Sequence, residues 1–277
     1  MRRLFSTAVA TALLVPTQGA PAQVGNAIPS CYAFSRVGVA PRRPRREVFL
    51  LIDETTQLDD TLRGSVREAV GKLLVPGSAF VIGSYSAFAQ GRFQKVLGAG
   101  VLEETVPAGQ RNSLSVPGLE RLDRCLAKQL PYGRRLAAGA LNTAFASQSG
   151  SLQHSDIISS LRDMGPRIAA SAAPRRTIIL VSDMIENSSL ANFYQNRTLR
   201  KIDPAKEFQN VTSKGFLANL GGADVYVIGA GVLPGDTNSY RDPVRLMALQ
   251  SFWAAYFGHS NARLRGFGKP MLPGPIP

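Results

Sequence analysis

Two short apolar runs constrain this chain more than anything else in it. Residues 47–53 read Glu-Val-Phe-Leu-Leu-Ile-Asp, and residues 177–183 read Thr-Ile-Ile-Leu-Val-Ser-Asp. Neither alternates polar with apolar side chains, so neither suits a strand with one wet face. Each suits a strand buried on both faces, as in a parallel sheet covered by helices on either side. Both runs end in an aspartate, Asp53 and Asp183, which puts two carboxylates at the carboxyl ends of buried strands.

The segments between them fit the same plan. Residues 58–74 carry Leu62, Val66, Ala69, Val70, Leu73 and Leu74 on one helical face, and Pro76-Gly77 breaks that helix. Strands are expected at 79–82 and 93–97, then a loop at 98–117 and two or three helices over 119–170. Ser155-Asp156 is placed to cap the last of these. Beyond 177–183 come an amphipathic helix at 204–220 ended by Gly221-Gly222, a strand at 225–228, a helix opened by Pro243 and an edge strand at 262–267. The spacing of Phe252, Trp253, Tyr256 and Phe257 makes them a core face of that last helix, with Tyr256 peripheral. Strands alternating with helices imply right-handed crossovers. The expected fold is α/β, Rossmann-like, with a mostly parallel central sheet flanked by helices on both faces. It occupies residues 47–268, after a Pro- and Arg-rich extended lead-in at 23–46 and before a loose tail at 269–277.

Residues 1–22 have the chemistry of a secretory signal peptide. Arg2 and Arg3 give a positive start, residues 4–15 are mostly apolar, and Ala20-Pro21-Ala22 offers small residues for cleavage. The apolar stretch is too short to span a bilayer. An exported chain, periplasmic or secreted, meets an oxidising environment, where Cys31 and Cys125 can form one disulfide. The alternative is two unpaired buried cysteines. With His154 and His259 they do not make a zinc site.

The net charge of +13 favours anionic partners. The cluster Arg42, Arg43, Arg45 and Arg46 can meet anionic lipid headgroups or an acidic protein, or serve only as a solvated linker. Nucleic acid is the weakest match, because no aromatic residues are interleaved with the basic ones for stacking. There is no Gly-x-Ser-x-Gly elbow and no phosphate-binding loop. Gly229-Ala-Gly231 follows a strand but lacks the third glycine of a dinucleotide fingerprint.

Asp53-Glu54-Thr55-Thr56-Gln57 after the first strand, with Ser182-Asp183 after the fourth, resembles the von Willebrand factor A (VWA) family. The likeness is to a bacterial exported form with a degenerate metal-ion-dependent adhesion site. In that family a first strand ends in Asp-x-Ser/Thr-x-Ser, a Thr comes from a loop before a middle helix, and an Asp follows the fourth strand. Together they hold a divalent cation whose free position takes a partner's carboxylate. The resemblance implies a non-enzymatic protein-interaction module, with Mg²⁺ or Mn²⁺ held by Asp53, Thr55 and Asp183. Gln57, Arg134 and Glu186 are the candidates to contact the partner. Envelope or secretion-associated assemblies are where such modules work.

The sequence departs from the pattern in two places. Gln57 stands where a second hydroxyl is expected. Residues 131–139, Pro-Tyr-Gly-Arg-Arg-Leu-Ala-Ala-Gly, stand where the Thr loop is expected and offer Arg134 and Arg135 with no hydroxyl. Thr143 lies too far into the following helix to substitute. An Arg near Asp53 and Asp183 can replace the cation with a salt bridge. The site is then either a metal site of altered geometry or a metal-free remnant. The same carboxylates, with Glu54 and Glu186, also suit a metal-dependent hydrolase.

Overall fold

A computed structural model describes residues 25–86, 94–149, 154–195, 198–232 and 242–277. The residues proposed above as a signal peptide lie outside the described part, as does Phe93. In chain order the elements are α1 (Cys31–Ser35), β1 (Arg46–Asp53), α2 (Asp60–Leu73), β2 (Ser78–Tyr85), β3 (Lys95–Val101), α3 (Ala108–Arg111), α4 (Val116–Ala146) and α5 (Ile157–Ala169). They continue with β4 (Arg175–Val181), β5 (Tyr194–Gln195), β6 (Thr198–Leu199), α6 (Pro204–Ser213), β7 (Ala223–Ile228), α7 (Pro243–His259) and β8 (Ala262–Phe267).

Six strands form one sheet in the order β3-β2-β1-β4-β7-β8, and β5 pairs with β6 apart from it. Only β3 runs antiparallel to its neighbour within the large sheet. This is the α/β, Rossmann-like architecture expected from the two apolar runs. β1 is continuously apolar because its side chains alternate between two cores. Val48, Leu50 and Ile52 pack with α2 and α4, while Phe49 and Leu51 pack with α5 and α7.

Several elements differ from expectation for identifiable reasons. The strand expected at 93–97 runs on to Val101, through Gly98 and Gly100. A Cβ at Gly100 would lie 2.5 Å from Ile28, so the glycine makes room for the lead-in and does not mark a loop. The lead-in is not extended throughout. α1 packs on α4 through the disulfide Cys31–Cys125, with a Cα–Cα separation of 5.5 Å, and through buried Tyr32, Val37 and Leu122. Glu103 accepts hydrogen bonds from Ser30 Oγ (2.6 Å) and the Cys31 amide (2.7 Å).

The stretch 131–139 is no loop. It lies inside α4, a helix of 31 residues that includes Pro131. A proline there forfeits a backbone hydrogen bond at a cost of roughly 3 kcal/mol. The buried row Gly133, Ala137, Ala140, Leu141, Ala144 and Phe145 outweighs it.

The tail is docked, not loose. Leu272 and Ile276 pack against the α2–α4 core, the Gly229 amide donates to the Pro270 carbonyl (2.8 Å), and Arg46 Nη2 donates to the Pro277 carbonyl (2.6 Å). Tyr256 is fully buried with Phe252, Trp253 and Phe257, not peripheral.

Candidate functional site

β1 brings Asp53 to the carboxyl end of the sheet in the row of Phe49 and Leu51, so its side chain faces α5. The carboxylate is fully buried and accepts four hydrogen bonds. Oδ1 accepts from the Thr55 amide (2.9 Å) and Thr55 Oγ1 (2.6 Å). Oδ2 accepts from Ser155 Oγ (2.9 Å) and Ser182 Oγ (2.9 Å). Three hydroxyls from three separate parts of the chain therefore converge on one carboxylate.

Asp183 follows β4, one residue after Ser182. Its amide donates to Thr56 Oγ1 (3.0 Å), which ties the two aspartate loops together. Its own Oδ1 accepts from the Ile185 amide (2.8 Å). Between them Met184 has φ 62°, a left-handed conformation that costs a side-chain-bearing residue about 1–2 kcal/mol. Three bonds hold it there. Its amide donates to Ser182 Oγ (2.9 Å), its carbonyl accepts from Trp253 Nε1 (2.8 Å), and the Asp183 carbonyl accepts from the Gly231 amide (2.9 Å). The turn after β7 thus braces the site, with Gly229 at φ 101° and Gly231 at φ 74° supplying conformations that suit glycine. Backbone strain kept in place by this many contacts belongs more often to a working site than to a bare loop.

The charge balance is one-sided. Burial raises the Asp53 pKa, with the hydrogen bonds from Thr55, Ser155 and Ser182 opposing it. Burial, and then the neighbouring Asp53, hold Asp183 well above the ordinary carboxylate range. Glu186 is fully buried; burial pushes it up to about 8, against hydrogen bonds from Ser188 and Ile158. Among the described residues no ion pair reaches Asp53, Asp183 or Glu186. Tyr85 and Ser86 are both buried at the end of β2. Asp53 and Ser182 lie near enough to Tyr85 to bear on its acidity.

Of the residues singled out in the sequence, Asp53, Thr55 and Asp183 come together as expected. Gln57 is exposed just before α2. Glu186 is not a surface contact, since its carboxylate is turned inward onto the Ile158 amide (3.0 Å) and Ser188 Oγ (2.5 Å). Arg134 is not beside Asp53. It donates from Nε and Nη2 to the Leu74 carbonyl at 3.2 and 3.1 Å, where α2 ends at the opposite edge of the sheet. Thr143 bonds only within α4, to the Gly139 carbonyl (3.1 Å). The hydroxyl sought in residues 131–139 is supplied by Ser155, on the segment leading into α5, and Ser182 adds another. The sequence signal for Ser155 was its place in the Ser-Asp pair that opens a helix preceding a buried strand.

The side-chain groups gathered at Asp53 are carboxylate and hydroxyl oxygens, the kind of ligand that Mg²⁺ takes. Among the described residues no three of His, Cys, Asp and Glu gather as a metal-ligand group. A cation here would therefore rest on two carboxylates, the hydroxyls and water. Each hydroxyl that donates its proton to Asp53 keeps lone pairs for a cation, so the residues fit a hard divalent ion and not zinc.

No protein-family model and no curated protein matches the chain. Among solved structures, it is similar to an aerotolerance-related membrane protein from Bacteroides fragilis NCTC 9343 carrying multiple mutations to serines. That likeness covers 80% of this chain and 92% of the other, at 11% identity and a TM-score of 0.34. It is also similar to the conserved hypothetical protein BatB from Bacteroides thetaiotaomicron, over 79% of this chain and 88% of that one, at 12% identity and a TM-score of 0.32. At these values neither likeness assigns a family or an activity.

Proposed function

We propose that this chain is an exported protein-interaction module of the VWA type, which engages a partner at the carboxyl end of its sheet through a divalent cation. The observation that carries the proposal is the convergence of Thr55, Ser155 and Ser182 on Asp53, with Asp183 alongside and, among the described residues, no ion pair to balance the two carboxylates. Ligands of open α/β sheets bind beyond this edge. Arg134 does not supply the salt-bridge substitute that residues 131–139 suggested, because it lies at the other edge. A cation would neutralise the buried pair and present an open position to a partner's carboxylate. Export is supported by the disulfide Cys31–Cys125 and by the signal-like chemistry of residues 1–22. Among the described residues no helix is long and apolar enough to cross a membrane.

The test is calorimetric and thermal titration with Mg²⁺ and Mn²⁺ of the wild type and of Asp53→Asn. Asn keeps the shape and the acceptor for Thr55, and Ser155 and Ser182 can turn to accept from its amide, so the variant removes the charge and leaves only the two serine protons to find new acceptors. Saturable binding is expected in the wild type, with stabilisation of about 2.7 kcal/mol at a hundredfold excess over the dissociation constant. Asp53→Asn should abolish it. If millimolar metal gives neither heat nor thermal shift, the cluster is purely structural and the proposal fails.

A further inference from the structure

The edge of the sheet opposite Asp53 has a different chemistry. β1 enters at Arg46 and β4 at Arg175, and the two are register partners on adjacent strands. Like charges facing each other across a ladder are destabilising. Burial, and then Arg175, lower the Arg46 pKa. The lead-in brings Arg36, Arg42, Arg43 and Arg45 to the same edge, and residues 25–46 include no acidic residue at all. Glu104 takes up part of this charge through Arg45 and, at 3.9 Å, Arg42. Glu120 and Asp123 of α4 are already paired with Arg124 and Arg111. Arg36, Arg43 and Arg175 are exposed and have no acidic partner among the described residues.

Exposed apolar side chains stand on α1 of the lead-in and on the start of α4, against which the lead-in packs. Phe34 of α1 is 68% exposed and Val116, at the start of α4, is 67% exposed. Both border one junction. The Ser35 carbonyl accepts from Arg121 Nη2 of α4 (3.0 Å), and the Val37 backbone lies 3.4 Å from where Gly118 would carry a Cβ. Phe34 is on a braced platform, held by the disulfide, by Glu103 and by Tyr32 Oη donating to the Glu104 carbonyl (2.7 Å). Its ring buries little against the chain, and it gives up little order if it inserts elsewhere.

We propose that this edge is a docking face for an anionic bilayer, with Phe34 and Val116 entering the interfacial layer while Arg36, Arg43 and Arg175 meet the phosphate headgroups. An exposed aromatic and an aliphatic carried on the same lead-in and helix pair as exposed arginines match that boundary, where apolar and basic groups act together because neither holds alone. A bilayer suits the disulfide's oxidising compartment better than nucleic acid does. β1, with its 8 residues, spans roughly 25 Å at about 3.3 Å per residue. Docked this way, the chain directs the Asp53 cluster away from the membrane, toward a partner.

The test is co-sedimentation of the chain, as recovered after export, with vesicles of phosphatidylcholine alone or mixed with phosphatidylglycerol. Binding to the anionic vesicles that weakens as salt rises is expected, with little binding to the neutral ones. Arg36→Gln with Arg43→Gln should weaken it about tenfold or more, and Phe34→Ser should weaken it further at unchanged thermal stability, since that ring is mostly exposed. Lys206→Gln, at the start of α6 beyond the carboxyl end of the sheet and paired with Asp203, should leave it unchanged. Equal binding to both vesicle types, binding indifferent to the arginine pair, or capture by DNA or an acidic protein without vesicle binding would each overturn the proposal. Metal titration at Asp53 is read independently of these results.

Discussion

Glu186→Gln raises the melting temperature of this protein at alkaline pH and flattens its dependence on pH. The Glu186 carboxyl is fully buried and holds its proton up to about 8, whereas in the unfolded chain it releases it near the ordinary glutamate value of about 4.3. Between these two values the folded state binds one more proton than the unfolded state. Stability therefore falls as pH rises through that window and is fully present only below it. At about 1.4 kcal/mol for each tenfold difference in proton affinity, the loss is on the order of 5 kcal/mol. Glutamine keeps the geometry. Its carbonyl accepts from the Ile158 amide, and Ser188 Oγ, which donates to the carboxylate in the wild type, can turn to accept from its NH₂. The expected gain at pH 9 is about 10–20 °C, from roughly 2–4 °C per kcal/mol for a chain of this size, with no gain at pH 4. The measurement is a pair of thermal melts across that range. A variant that is less stable at pH 9 would mean that Glu186 is charged in the folded state and has a counter-ion there. The slope that remains in the variant belongs to Asp53 and Asp183, whose buried carboxyls push in the same direction.

The parts of the fold that could be read from the sequence are those whose burial leaves a local pattern. β1 and β4 announced themselves because helices cover both of their faces, so every position had to be apolar. Asp53 and Asp183 stood out as the points where those runs stop. What could not be read rests on contacts distant in sequence. α1 has five residues, too few to be stable alone, and is set in place by Glu103 and Cys125 far along the chain. Pro131-Tyr132-Gly133 looked like a break, yet α4 continues because small residues on one face let it lie close to β2 and β3. That misplaced break sent the search for a third hydroxyl to Arg134 when it belonged at Ser155. Ser155 and Ser182 are marked in the sequence only as a helix opening and a strand end, and nothing there ties either of them to Asp53. Their roles exist only because Asp53 lies where three loops meet, and proximity of that kind is not written in spacing.

The same distance in sequence gives the disulfide its effect. Cys31 and Cys125 are separated by 94 positions, so the crosslink closes a loop that takes in β1, α2, β2 and β3. In the chain-entropy account such a closure removes about 4 kcal/mol of freedom from the unfolded ensemble. The polar braces of α1 on Glu103, Gln129 and Arg121 survive without it, and so does the seat of Ile28 between Gly100 and Gly133. The reduced chain is therefore expected to keep its native arrangement and lose stability. Cys31→Ala with Cys125→Ala, unfolded by denaturant, should show a midpoint corresponding to a loss of about 4 kcal/mol, or roughly 10 °C in melting temperature. Wild type treated with reductant should fall to the same midpoint. A loss below about 1 kcal/mol would mean that the two ends already stay together in the unfolded chain, held by the arginine-rich lead-in and Glu103 and Glu104. In that case the crosslink adds no constraint, and its connection to an oxidising compartment would have to lie in protecting the thiols and not in folding.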